Sequence, residues 1–200
     1  MPERSSDRDG AVRAMLPHAA DHGWRRAAVV AAGYDRLEAE LLFPGGTADL
    51  LEAWCDLADR DMEDAAIAHG VADQRLSQRV RTLIALRLAN ARPNKEAVRR
   101  AIGLFALPGY APLAARCVAR SVDAIWHAAG DASADFSWYT KRGILVAVWT
   151  STLLFWLTDH SEDDAATLAF LDRRLAGVAQ IGKLRGRVTG ALGRLRTAAS

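Results

Sequence analysis

The sequence predicts an all-α protein, and three observations carry that reading. Alanine, leucine and arginine dominate the composition, β-branched runs are short, and apolar residues recur three and four positions apart along the chain. No stretch reads as a strand. Gly, Pro and capping residues divide the chain into about nine helices, at roughly 8–20, 24–33, 35–42, 47–69, 73–91, 94–106, 110–129, 134–158 and 162–182. Thr47 is suited to cap the helix that begins Ala48-Asp49, and Gly70 to end it in a left-handed turn. Ser161 and Asp164 have the spacing of a capping box, with Asp in place of the usual Glu or Gln. Pro93 and Pro108 stand at helix starts, where a missing N–H is harmless. The stretch 143–157, GILVAVWTSTLLFWL, is the most apolar in the chain and is shorter than the roughly 20 residues that cross a bilayer. It predicts a helix buried within the domain or in a dimer interface, for which Trp149, Phe155 and Trp156 are suitably large.

A chain of 200 residues, 50% of them hydrophobic, can bury one sizeable core, here expected over 1–182 with a tail at 183–200. The 26 basic and 24 acidic side chains leave a formal net charge of +2, which excludes a surface built as a whole for polyanions. Any electrostatic partner site must therefore be local. Cys55 and Cys117 lie in apolar helical stretches without CxxC or Cys/His spacing, so neither a disulfide framework nor a zinc site is expected, and a reducing compartment fits. Residues 1–10 are polar and charged, with neither the apolar stretch of a secretory signal nor a basic transit peptide, so residence in a bacterial-type cytoplasm is the expectation.

The segment 27–54, AAVVAAGYDRLEAELLFPGGTADLLEAW, resembles the helix-turn-helix of TetR-type repressors. A DNA-reading helix must bring donors and cations to phosphates and base edges. The corresponding helix, 35–42, instead offers Asp35, Glu38 and Glu40 against Arg36, with Leu37, Leu41 and Leu42 expected to face a core. It is read as a scaffold, a degenerate helix-turn-helix. A sequence-specific, ligand-responsive repressor is the alternative. Arg25 and Arg26 could touch phosphate or could be a solvated pair at a helix start.

Residues 121–142 read SVDAIWHAAGDASADFSWYTKR, and 169–174 read AFLDRR. These resemble the ubiquinone-biosynthesis accessory family, whose hallmark is a VDxIWxxAGDxSxDFxWYT[KR]R run; weaker likeness extends through 93–108 and 16–24. The resemblance implies a TetR-like fold, an isoprenoid-binding cavity, no catalysis, dimerisation, and partnership with the di-iron demethoxyubiquinone hydroxylase. It places Trp138, Tyr139 and Arg142 on the surface that meets the hydroxylase. Read from the residues alone, Asp135, Phe136, Trp138 and Tyr139 are too closely spaced to share one inward face. Exposed aromatics beside Lys141 and Arg142 have the composition of a binding hot spot, although Trp138 and Tyr139 could instead wedge between helices. Asp135 is better placed to cap the following helix than to make contact.

Asp123, His127 and Asp131 fall at i, i+4 and i+8, but an Asp123–His127 hydrogen-bonded pair is the plainer reading, and the Glu-x-x-His pairs of a di-iron bundle do not occur. No GxSxG, GxxxxGK[ST], GxGxxG or HExxH occurs either, so neither a metal nor another cofactor is expected and no enzyme class has motif support. Leu83, Ile84, Leu104, Ile125 and Trp126 are candidates for the wall of a lipid cavity, or for plain core.

From 183 the chain runs KLRGRVTGALGRLRTAAS. Lys183, Arg185, Arg187, Arg194 and Arg196 are its charges, while Leu184, Val188, Leu192 and Leu195 step along one helical stripe. A basic amphipathic helix of this kind predicts contact with an anionic membrane surface; a solubilising tail is the competing reading. Together these features predict a non-enzymatic homodimer, peripheral to the inner membrane, that binds an isoprenoid quinone precursor and a hydroxylase and does not bind nucleic acid.

Overall fold

The computed structural model describes residues 4–130 and 137–178, with side chains from 140 onward in the second stretch. The helices are α1 (Ser6–Met15), α2 (Ala19–His22), α3 (Arg26–Ala31), α4 (Arg36–Leu42), α5 (Thr47–Ala68), α6 (Leu76–Ala91), α7 (Lys95–Phe105), α8 (Ala111–Ala128), α9 (Ser137–Thr158) and α10 (165–178), with no strand among the described residues. The chain divides into two compact units, 1–142 and 143–200.

In the first unit α5 is the axis, lying against α6 and α8 on one side and α1 on another. Its inward stripe of Leu51, Cys55, Asp59, Met62 and Ala66 advances in steps of three and four and is buried throughout. The N-terminal helices are pinned to this axis by Trp24, which is 1% exposed, donates to Ala97 O at 2.8 Å and tilts against Trp54 with ring centroids 5.0 Å apart.

Several expected boundaries move, each for a local reason. The helix expected at 8–20 breaks at Met15, because Pro17 cannot continue an α-helical ladder; a 3₁₀ turn, Leu16–His18, carries the chain into α2. Thr47 does not cap α5. Gly46 does, at φ 61° and ψ −131°, a conformation strained for threonine, and it lends no side-chain bond to the helix. Gly70 is left-handed at φ 60° and ψ 35°, as expected of it. Asp35 forms a full capping box with Glu38, which accepts the Asp35 N–H at 3.2 Å while Asp35 accepts the Glu38 N–H at 2.7 Å. Leu37 and Leu41 do not face a core: they are 65% and 71% exposed, and Leu42 is half-buried. Ala39 is the buried contact of this short helix, and residues two positions away are rotated by about 200°, to its far side.

In the second unit, which begins within α9, the hydroxyls of Thr150 and Thr152 donate to Val146 O and Val148 O at 2.7 Å, so the polar groups of an otherwise apolar helix are satisfied within it. Phe155 of α9 stacks on Phe170 of α10 at 4.5 Å and 7°. The Ser161–Asp164 capping box does not form, since Asp164 lies in the left-handed region at φ 57°. Asp159 and Ser161 share the capping: the two Asp159 oxygens accept the N–H and hydroxyl of Ser161 at 2.8 and 2.7 Å and those of Thr167 at 2.8 and 2.5 Å, and the Ser161 hydroxyl accepts the Ala166 N–H at 2.9 Å. Burial alone would raise this carboxyl, but the bonds from Thr167 and Ser161 hold it well below the ordinary carboxylate range. Trp149 and Trp156 are buried as expected, whereas Ile144 and Leu154 are 36% and 49% exposed and, with Ala147 and Ser151, step by three and four down one face. Asp135, Asp131 and the tail 183–200 lie outside the described residues, as do the side chains of Trp138 and Tyr139.

Candidate functional site

The interior of the α5–α6–α8 layer is not purely apolar. Asp59 of α5 accepts hydrogen bonds from Arg87 Nε of α6 at 3.2 Å and from the Ser121 hydroxyl of α8 at 2.8 Å, so one carboxylate joins all three helices. Both charged side chains are 6% exposed, and the Arg87 guanidinium lies 5.7 Å from the centre of the Trp54 ring. Burial pushes the Asp59 carboxyl above its ordinary value, against the pull of Arg87 and the bond from Ser121.

The residues proposed for the cavity wall lie on α6, α7 and α8. Leu83, Ile84 and Ile125 are fully buried, whereas Leu104 and Trp126 are partly exposed. Leu104 borders a cleft of about 440 Å³ shared with Trp24, Arg100 and Tyr110. The Trp126 indole N–H is buried and has no hydrogen-bond partner among the described residues. A buried donor left unmade costs about 1–3 kcal/mol, so an oxygen-bearing ligand reaching it would restore that bond.

At the far end of α8 the chain turns at Gly130, φ 74°, where an added Cβ would stand 3.0 Å from Arg79 Nη1; the same Arg79 nitrogen donates to Ala129 O at 3.0 Å. The C-terminal end of α8, at Ala129 and Gly130, is thus held by α6. Beyond it, Arg142 Nε donates to Asp123 Oδ1 at 2.6 Å and the Arg142 side chain is only 21% exposed. Asp123 therefore pairs with Arg142 across the turn. Beside it a cleft of about 430 Å³ is lined by Glu63, Ile67, Val71 and His127, with Ile67 81% exposed. Burial raises the Glu63 carboxyl against the pull of His127. No group of three or more His, Cys, Asp or Glu among the described residues could hold a metal ion.

Sequence reasoning missed the Asp59–Arg87–Ser121 network, although a signal was there: Asp59 and Arg87 each occupy a core position in the stripe of its helix. It also missed the capping box, written plainly as Asp35-x-x-Glu38.

A short helix pair leading into a long axial helix, with further helices layered on that axis, is the TetR-like all-helical architecture. The crystal structure of a TetR transcriptional regulator from Nitrosomonas europaea superposes with a TM-score of 0.71 and 27% identity, over 86% of this chain and 98% of that one. The COQ9 family model matches residues 111–182. The ubiquinone biosynthesis protein coq9 of Schizosaccharomyces pombe is 30% identical over 177 residues, 86% of this chain and 70% of its own. The mitochondrial COQ9 proteins of Rattus norvegicus and Homo sapiens are 30% and 29% identical over 84% of this chain. The chain belongs to the COQ9 family. It spans 57% of the length of the rat relative and 56% of the human one.

Proposed function

We propose that this protein is a non-enzymatic accessory factor of ubiquinone biosynthesis, which binds an isoprenoid quinone precursor and presents it to a hydroxylase at a membrane surface. The observation that carries the reading is family membership, joined at the level of residues by the aromatic run that follows the Gly130 turn. In this reading the prenyl tail enters beside Leu104 and Trp126 and displaces packing near Leu83, Ile84 and Ile125, with the unpaired Trp126 indole N–H available to a quinone or phenol oxygen. The exposed face of α9 that carries Ile144 and Leu154 is the proposed contact between copies in a homodimer. No single described helix is long and apolar enough to cross a membrane. The basic, amphipathic composition of the tail supports membrane contact there, through Lys183, Arg185, Arg187 and Arg194 with Leu184, Val188, Leu192 and Leu195.

Two measurements test the parts separately. Native mass spectrometry of the purified chain, followed by organic extraction, is expected to show a retained isoprenoid; lipid-free protein that takes up nothing from quinone-containing liposomes would remove the cavity from the proposal. For docking, Trp138→Ala and Tyr139→Ala are expected to melt within a few degrees of the parent and to lose about 2 kcal/mol or more of affinity for the demethoxyubiquinone hydroxylase. Arg142→Glu, which opposes two carboxylates at Asp123, is expected to fail in the same pull-down. A large loss of melting temperature in Trp138→Ala, or full hydroxylase capture by the folded variants, would return the aromatics to the core.

The solved regulator of similar fold favours one rival, a repressor. Here α4 turns Leu37, Leu41 and the carboxylates of Glu38 and Glu40 outward, so its surface repels phosphate and offers few donors to base edges. Mobility shifts at low salt with genomic fragments are expected to show no sequence-selective complex. A salt-sensitive, selective shift at nanomolar protein would restore the repressor reading.

A further inference from the structure

We infer that the cleft between α3 and α4 is a second binding site, for an anionic amphiphile with a phosphate or carboxylate head on a single hydrocarbon tail. The cleft holds about 710 Å³, within the roughly 300–1,000 Å³ that small-molecule sites occupy. Ala27, Val30 and Ala31 of α3 form its apolar floor, and Val30 is 42% exposed, a branched side chain that folding leaves uncovered. Arg25 and Arg36 line the same cleft.

The three arginines that line the cleft play different parts. Arg26 is built into its wall, donating from Nε to Phe43 O at 2.8 Å and from Nη2 to Pro44 O at 2.5 Å, so the start of α3 is tied to the turn before α5 and the cleft exists before any ligand arrives. The backbone of Arg25 bonds to Gly23 and Ala28, while its guanidinium makes no hydrogen bond or ion pair among the described residues. Arg36, with its side chain 90% exposed, pairs with Glu40 one turn away at 3.4 Å, a surface contact that holds an arginine weakly. Glu40 is the sole carboxylate in a lining that also contains His22. On a chain whose charges nearly cancel, one unpaired and one weakly paired guanidinium group line the same cleft as an uncovered apolar floor, and that pairing matches a charged head and a tail.

The amphiphile is favoured over the two simpler ligands that share part of its chemistry. A bare anion leaves the floor wet, and a neutral tail leaves Arg25 without a counter-ion and Arg36 with only its surface contact to Glu40. A nucleic-acid duplex would have to cover the outer side of α4, where Glu38 and the Asp35 cap repel it, whereas a small head needs only Arg25 and Arg36 at the rim of the cleft. The site shares no residue with the proposed quinone cavity and stands or falls independently of it.

Amide NMR titration of the full chain tests it, with octyl phosphate, octanoate, octanol and inorganic phosphate as probes. Octyl phosphate and octanoate are expected to shift amides of α3 and the start of α4, and decyl phosphate to bind roughly fifteenfold more tightly than octyl phosphate, at about fourfold per buried methylene. Arg25→Glu and Arg36→Glu are each expected to weaken octyl phosphate by about tenfold or more with a melting temperature within a few degrees of the parent, since the Arg25 guanidinium has no partner among the described residues and the Arg36–Glu40 pair is a surface contact. Arg25→Gln gives the same reading without charge reversal. Val30→Ser is expected to remove the chain-length dependence and leave the weak binding of inorganic phosphate as it was. The proposal is overturned if inorganic phosphate or octanol binds as tightly as octyl phosphate. It is also overturned if the arginine variants bind unchanged, or if duplex DNA, and not the amphiphiles, occupies the same arginines.

Discussion

Replacing Arg87 by methionine is expected to lower stability by about 3–5 kcal/mol, the cost of stranding a buried charge when its partner is removed. Methionine keeps much of the arginine's volume and its contact with Trp54, so the loss is electrostatic rather than a cavity. What remains is the Asp59 carboxylate, 6% exposed, with the Ser121 hydroxyl as its nearest donor. For a chain of this size the loss is roughly 6–20 °C in melting temperature. The pH dependence identifies the cause. Burial already raises the folded-state pKa of Asp59 above its ordinary 3.8, so this group favours folding at low pH, and that contribution is lost as the pH rises through its folded value. Without Arg87 that value moves higher still. The deficit of Arg87→Met should therefore narrow as the pH falls from neutral, because the stranded carboxylate takes up a proton. Thermal melts at several pH values check this; a deficit independent of pH would assign the loss to packing. The double variant Arg87→Met/Asp59→Leu, which removes both charges, is expected to recover most of the stability.

That network shows why the architecture was more legible in the sequence than the polar interior. Helical periodicity is a property of each segment alone, and it placed α5 through α8 to within a few residues. Asp59 and Arg87 are 28 positions apart, and a charged residue on an apolar stripe reads as an interruption until the facing helix is known to supply its partner. Leu37 and Leu41 failed for the opposite reason. Leucines four apart read as a buried stripe, but a seven-residue helix has one narrow inward face, and Ala39 occupies it. Thr47 and the Ser161–Asp164 box failed on backbone conformation: Gly46 takes the positive φ at the start of α5, and Asp164 is left-handed, so Ser161 bonds Ala166 instead while Asp159, outside the capping-box spacing, reaches the first turn of α10. The clefts depend on which side chains folding leaves uncovered, and no periodicity encodes that.

Deleting residues 183–200 is expected to remove binding to anionic vesicles while leaving the melting temperature of the domain unchanged. Five cations lie in this segment, Lys183, Arg185, Arg187, Arg194 and Arg196, without an acid among them. Each contributes about 1 kcal/mol near a surface rich in anionic lipid, on the order of 5 kcal/mol together, or more than a thousandfold in partitioning. The apolar stripe of Leu184, Val188, Leu192 and Leu195 adds burial at the level of the acyl chains, and Gly186, Gly190 and Gly193 lower helicity in water, which couples helix formation to the surface. The two contributions separate experimentally. Raising the salt concentration screens the charges and should weaken co-sedimentation steeply, whereas replacing Leu184 and Leu192 by serine should weaken it at every salt concentration. On neutral phosphatidylcholine vesicles the parent and the truncated chain should bind alike and poorly. If the two sediment equally with anionic vesicles, the membrane contact lies elsewhere and the segment serves solubility alone.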